Sequence, residues 1–152
     1  MTWLSPPGWA SQMIFTTYQP AALDVEMLGG GDATRCGGGA DGCVDVFAAM
    51  SMAGDAITVR LVNAGNASQP IDIRVVGGAD GRPVRLAPEV ELLSLTSPLS
   101  SNQTAYDLNQ GGVNPVGDPL RVSTVRSTVK LGPTGRWELP PHAFQVLLLR
   151  VQ

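Results

Sequence analysis

The sequence predicts an all-β fold, an antiparallel β-sandwich or jelly roll with one helix at its N-terminal end. Three observations lead there. The 152 residues contain 18 glycines and 12 prolines, more than a helical protein tolerates, because glycine adds backbone entropy and proline removes an N–H. Hydrophobic residues make up 43% and charged ones 15%, enough apolar material for a single core and too much for a disordered chain. From residue 23 onward the hydrophobic period is two rather than 3.6, in short segments separated by turn residues.

The helix is expected over residues 3–18. Ser5 can cap it, and Pro6 suits the first helical position, where a missing N–H costs nothing. Trp9, Ala10, Met13, Ile14 and Thr17 then share one face, and Pro20 closes the segment. Leu23, Val25 and Met27 alternate with Asp24 and Glu26 as a half-buried strand. A glycine-laden loop follows, then an apolar strand over 44–52. Ile57, Val59 and Leu61 alternate over 56–62, and Ile71, Ile73 and Val75 over 71–75. Joined through the Asn63-Ala64-Gly65-Asn66 turn, these two read as a hairpin with a long connection. Further strands are expected at 84–86, 90–95, 120–125, 128–131 and 136–139, with a long polar loop over 97–119. The segment 145–151 is apolar on both faces and should be central.

Composition narrows the function. A net charge of -3 supplies no basic stripe for phosphates, which excludes nucleic acid as a partner. No apolar run has the length of a membrane span, and no segment reads as a signal peptide; Met1-Thr2-Trp3 reads as the abrupt start of a fragment. Cys36 and Cys43 do not have the spacing of a redox or zinc pair, and His142 is the sole histidine, so no metal site or cofactor is expected. A local Cys36–Cys43 disulfide is the leading reading, with two free thiols close behind. Two sequons, at Asn66 and Asn102, agree with glycosylation and an extracellular or cell-wall location.

Candidates for chemistry are few. His142 follows Pro140-Pro141 and is better placed to cap a turn than to act as a base. The carboxylate pairs Asp24 with Glu26 and Glu89 with Glu91 each sit two apart on a strand, the pattern of a solvated sheet face. Trp3, Trp9 and Trp137 could stack on sugars, but two belong to the helix and one to a short strand, so no aromatic platform is expected.

Several segments resemble one family in order along the chain. Pro7-Gly8-Trp9-Ala10-Ser11-Gln12-Met13-Ile14-Phe15 is similar to the closing helix of the catalytic barrel in glycoside hydrolase family 51 α-L-arabinofuranosidases. Ile57-Thr58-Val59-Arg60-Leu61-Val62-Asn63 resembles the family's strand ending in Val-Asn. Asn114, Pro119 and Val122 resemble its loop into a late strand, and Leu139-Pro140-Pro141-His142-Ala143 through Leu149 its closing Leu-Pro-Pro segment. Ala143 stands where Ser is common, and the Cys36–Cys43 loop has no counterpart. The resemblance implies that residues 1–20 are the last barrel helix and linker, and that 21–152 form the non-catalytic C-terminal sandwich. The family's two catalytic glutamates lie on a barrel of about 250 residues, upstream of this chain, so no catalytic residue is assigned here. The implied partner is that barrel, with a homo-oligomer as a further possibility. The stripe Trp9, Met13 and Ile14 should face the barrel or, in its absence, a second copy. The alternatives are a free-standing carbohydrate-binding sandwich, which an aromatic content of 5% disfavours, and a small complete enzyme.

Overall fold

The computed structural model describes residues 6–27, 44–65, 67–77, 81–96, 123–131 and 135–152. Cys36, Cys43, Asn66, Asn102, Trp3, Ser5 and the expected loop over 97–119 lie outside them. Helix α1 is Pro6–Thr16. The strands are β1 (Ala21–Leu23), β2 (Val44–Met50), β3 (Ala56–Asn63), β4 (Gln69–Asp72) and β5 (Val76–Gly77). They continue with β6 (Arg82–Pro83), β7 (Glu89–Thr96), β8 (Val125–Lys130), β9 (Arg136–Leu139) and β10 (Ala143–Arg150).

The closing strand lies where its sequence pattern requires. β10 is apolar on both faces, so it is stable only where both are covered, and it runs antiparallel between β3 and β7. Around it the principal sheet has six strands in the order β1-β2-β3-β10-β7-β8. The pleat sends Leu147 and Leu149 to one face with Val59, Ile57 and Leu92, their register partners or neighbours. This inner face packs on a second layer: Leu139 and Trp137 of β9, Ile71 of β4, and Ile73 and Val75 beyond it. The opposite, outer face presents Val146, Leu93 and Leu95, and α1 lies across them with Met13 as its buried knob. The protein is therefore an all-β sandwich with a single helix, as the sequence predicts.

Two buried polar devices join the layers. Trp137 Nε1 donates to Gln145 Oε1 at 2.8 Å, and Gln145 Nε2 donates to Ser94 Oγ at 3.1 Å, so the inner-face polar side chains satisfy one another. Asn63, at the end of β3, donates through Nδ2 to the carbonyls of Ala67 (2.8 Å), Pro140 (2.9 Å) and Leu139 (3.3 Å). Its Oδ1 accepts from the Gly65 N–H at 2.9 Å. One side chain thus ties the exit from β3 to the turn before β10.

Several elements differ from expectation. In place of a strand over 23–27, β1 covers Ala21–Leu23 and pairs with β2; beyond Leu23 the ladder stops, and Val25 and Met27 are exposed. The expected hairpin of 56–62 with 71–75 does not form. Both edges of β3 are occupied by β2 and β10, so the chain crosses to the second layer, where β4 pairs with β9. Residues 73–75 are outside any ladder; Ile73 N–H donates to Gly135, and Val75 O accepts from Val84. In place of a strand over 84–86, the ladder with β5 is at Arg82–Pro83, and Leu86 makes a lone bridge to Val151. Where strands 120–125 and 128–131 are expected, one continuous strand, β8, pairs with β7; residues 120–122 are outside the described set.

Candidate functional site

The helix–sheet junction gathers the largest number of unusual side chains. Trp9, Ala10 and Met13 recur at helical spacing and pack on Leu93, Leu95, Val146 and the partly buried Phe144 and Leu148. Thr17 Oγ1 donates to the Met13 carbonyl at 2.6 Å, which also accepts the Thr17 N–H at 3.2 Å, so the last turn is held twice. From the sheet, Thr58 Oγ1 donates to Thr17 O at 3.2 Å. Arg60 reaches up from β3 and donates to Ile14 O at 3.0 Å and Thr17 O at 3.4 Å. Its guanidinium also lies 5.3 Å from the Phe47 ring centroid. A cation on the C-terminal carbonyls of a helix complements the helix dipole, and the aromatic face offsets part of its desolvation. Burial pushes the Arg60 pKa below its ordinary value, which is the remaining cost of holding a charge there.

The same helix carries apolar residues on its far side. Phe15 is 84% exposed and Tyr18, just past the helix, 68%. Ile14 is 43% exposed, at the flank of the docked stripe. Phe47 and Val62, on the outer face of β2 and β3, are also exposed, although the end of α1 reaches Thr58 and Arg60 of β3. Between this apolar group and the docked stripe the helix carries the polar, exposed Ser11, Gln12 and Thr16, so it has two separate apolar sides and only one is covered.

The stripe expected to face a barrel or a second copy therefore divides. Met13 is 1% exposed and belongs to this chain's own outer-face core. Trp9 packs beside it, and only Ile14 is left toward solvent. The exposed group contains Phe15 and Tyr18, which the one-faced reading of the helix passed over. Helical spacing could have found Phe15, because it lies about half a turn from Met13.

The remaining candidates stand apart from one another. Asp24 and Glu26 sit in exposed chain after β1. Glu89 and Glu91 begin β7 on its outer face, opposite Lys130 and Thr128, and Glu91 makes a 2.8 Å ion pair with Arg126. No pair faces another acid across a pocket. A cleft of about 540 Å³ lies beside the β5–β6 hairpin, with Arg74, Arg85 and Leu131 in its wall, and one of about 260 Å³ beside α1. Among the described residues no carboxylate lines either cleft. His142 has φ 48°, and its N–H donates to Gly65 O at 3.1 Å, which makes it a turn residue. Trp137 is half-buried with its indole N–H engaged, so it offers no open ring platform. Among the described residues no group of three or more His, Cys, Asp or Glu could hold a metal, and no helix is long and apolar enough to cross a membrane.

No protein-family model matches the chain, and no curated protein does. Solved structures do match in fold. An arabinose-bound family 51 α-L-arabinofuranosidase is 13% identical with a TM-score of 0.68, over 99% of this chain and 20% of that one. A family 51 α-L-arabinofuranosidase from Thermotoga petrophila RKU-1 is 19% identical with a TM-score of 0.50, over 69% of this chain and 18% of that one. Another arabinofuranosidase is 18% identical with a TM-score of 0.51, over 70% and 19% respectively. At these identities the likeness is one of fold, and the chain spans about a fifth of the length of each neighbour.

Proposed function

We propose that this chain is the non-catalytic C-terminal β-sandwich domain of an α-L-arabinofuranosidase-like glycoside hydrolase, and that it braces the catalytic barrel of the parent protein. The observation that carries this reading is the breadth of the fold match: 99% of this chain against only 20% of a family 51 enzyme. A match that wide includes α1 as well as the sandwich, in keeping with a helix that joins the two parts of the parent. In this reading the barrel covers Ile14, Phe15 and Tyr18, while Trp9 and Met13 hold the helix to the sandwich. The carboxylates support a role without chemistry, because retaining hydrolysis needs two carboxyls roughly 5 Å apart across a substrate pocket. Glu89 and Glu91 instead share one face of a strand, and Glu91 is ion-paired. The alternative of a free-standing carbohydrate-binding sandwich calls for exposed coplanar aromatics, and Trp137 is drawn into the inner core.

Two measurements test the proposal. Long incubation of the chain with an aryl α-L-arabinofuranoside should give no turnover above buffer. Turnover that disappears in Glu89→Gln or Glu91→Gln would make the chain an enzyme and refute the reading. The bracing face is tested by light scattering over a concentration series. Without a barrel the exposed aromatics should drive weak self-association, and Phe15→Ser with Tyr18→Ser should abolish it, each side chain contributing up to roughly 1.5–3 kcal/mol when fully buried. A wild-type chain that stays monomeric at high concentration would mean that this face seeks no partner.

A further inference from the structure

We infer that the cleft beside the β5–β6 hairpin binds a small apolar monocarboxylate, a single anionic group on a body of one or two rings. The cleft lies in the second layer, lined by chain from segments 73–76 and 83–88 and by residues 131 and 135. Three backbone hydrogen bonds tie these segments to one another. Val84 N–H donates to Val75 O at 2.8 Å, Ile73 N–H to Gly135 O at 3.2 Å, and Leu131 N–H to Pro88 O at 3.2 Å. Gly135, at φ 75°, lies so close to Ile73 that a Cβ there would overlap the Ile73 carbonyl. An opening framed this way exists before a ligand arrives, which spares the complex the cost of ordering it. At about 540 Å³ its volume falls within the roughly 300–1,000 Å³ of small-molecule sites.

The lining is largely apolar and still open. Ile73, Val75, Val84, Leu86 and Leu131 line the cleft, and each is only half-buried. All of these but Val84 are anchored by the inner core, so they hold their places whether or not the cleft is filled. A contiguous group of apolar side chains left partly open is the mark of a binding surface, and an apolar ring would complete its burial. The charged groups of the lining are Arg74 and Arg85. Asp72 holds Arg74 through Nη2 at 3.1 Å, which occupies one of the five donors of a guanidinium. No ion pair of Arg85 is found among the described residues. Two cations against one carboxylate leave an unbalanced positive charge at the cleft, which favours an anion. A guanidinium matches the planar carboxylate, which accepts two parallel N–H bonds. Both arginines are exposed, so their contribution is modest and the apolar lining supplies most of the affinity. The inference does not rest on the bracing role, because this cleft lies on the opposite side of the principal sheet from α1. Its failure would leave that role untouched.

The experiment is an amide chemical-shift titration of the 152-residue chain with cinnamate, with cinnamyl alcohol as the neutral body and acetate as the charge alone. Cinnamate should give saturable shifts centred on Arg74, Val75, Val84, Arg85 and Leu131, with affinity on the order of millimolar for a ligand of that size. The alcohol should bind about three- to fivefold more weakly, the factor that an exposed charge contact supplies, and acetate should not saturate. Arg74→Gln with Arg85→Gln should lower the affinity for cinnamate to that for the alcohol, leaving the alcohol's own binding and the spectrum away from the cleft unchanged. Absence of saturable shifts with cinnamate, or shifts centred on Phe15 and Tyr18 instead, would overturn the proposal. So would equal affinity for acid and alcohol in the wild-type chain, or cinnamate binding unaltered in the double variant.

Discussion

Replacing Asn63 with leucine should lower the free energy of unfolding by about 3–4 kcal/mol, near the upper end of single substitutions. The side chain is buried; its two amide hydrogens are shared among three backbone carbonyls, and its oxygen accepts one backbone N–H. Leucine fills a similar volume but leaves the carbonyls of Ala67, Leu139 and Pro140 and the N–H of Gly65 without that partner. The bond to Leu139 is buried and the others part-buried, so the groups that lose Asn63 recover little of their hydration beneath the leucine side chain. The effect should appear as a lower urea midpoint at constant slope. Asp72→Ala is the control, because it removes only an exposed ion pair with Arg74, worth about 0–1 kcal/mol. If the two variants are equally stable, Asn63 is not the pin between the β3 exit and the β10 turn.

Leu147→Ala should cost about 3–5 kcal/mol. Leu147 is fully buried on the inner face of β10, between Val59 of β3 and Leu92 of β7, its register partners on either side. With a strand hydrogen-bonded along each edge and β9 packed above, the backbone cannot collapse into the space, so the cavity term adds to the lost transfer energy. Leu148, the next residue, points to the outer face and is only partly buried under α1. Leu148→Ala should therefore cost about 2 kcal/mol, the low end of the range for such truncations. Thermal melts of the two variants side by side check the order. A larger loss at Leu148 would place the better-packed layer on the helix side of the sheet.

Much of the architecture was legible because it depends on local pattern. The α1 stripe, the apolar run of 44–52, the alternation of 56–62 and the doubly apolar closing strand each announce their own environment, and each is found within a few residues of its expected place. Strand 23–27 misled because alternation records what a segment can do, while a strand exists only where a neighbour offers a ladder, and β2 pairs with Ala21–Leu23, which includes only the first residue of that segment. The 56–62 and 71–75 hairpin failed for the complementary reason. Both segments are strand-like, but β10, about eighty residues later, takes the edge of β3 that a hairpin partner would need. Pairing of that kind is a competition among distant segments, which no window of sequence contains.

The candidate site divides along the same line. Period, punctuation and charge in the sequence by themselves determined an apolar all-β chain with one leading helix, scattered carboxylates and a turn histidine. Those are properties of each residue with its near neighbours, governed by backbone sterics and side-chain spacing. Only the tertiary structure decided which side of the helix is spent. Docking against Leu93, Leu95 and Val146 consumed Met13 and left Phe15 and Tyr18 outward. Docking also brought Arg60 onto the helix carbonyls and set Gln12 and Thr16 opposite Thr124 and Arg126. Burial is a property of two surfaces meeting, so a helix with apolar residues on more than one side does not reveal which of them its own sheet will take.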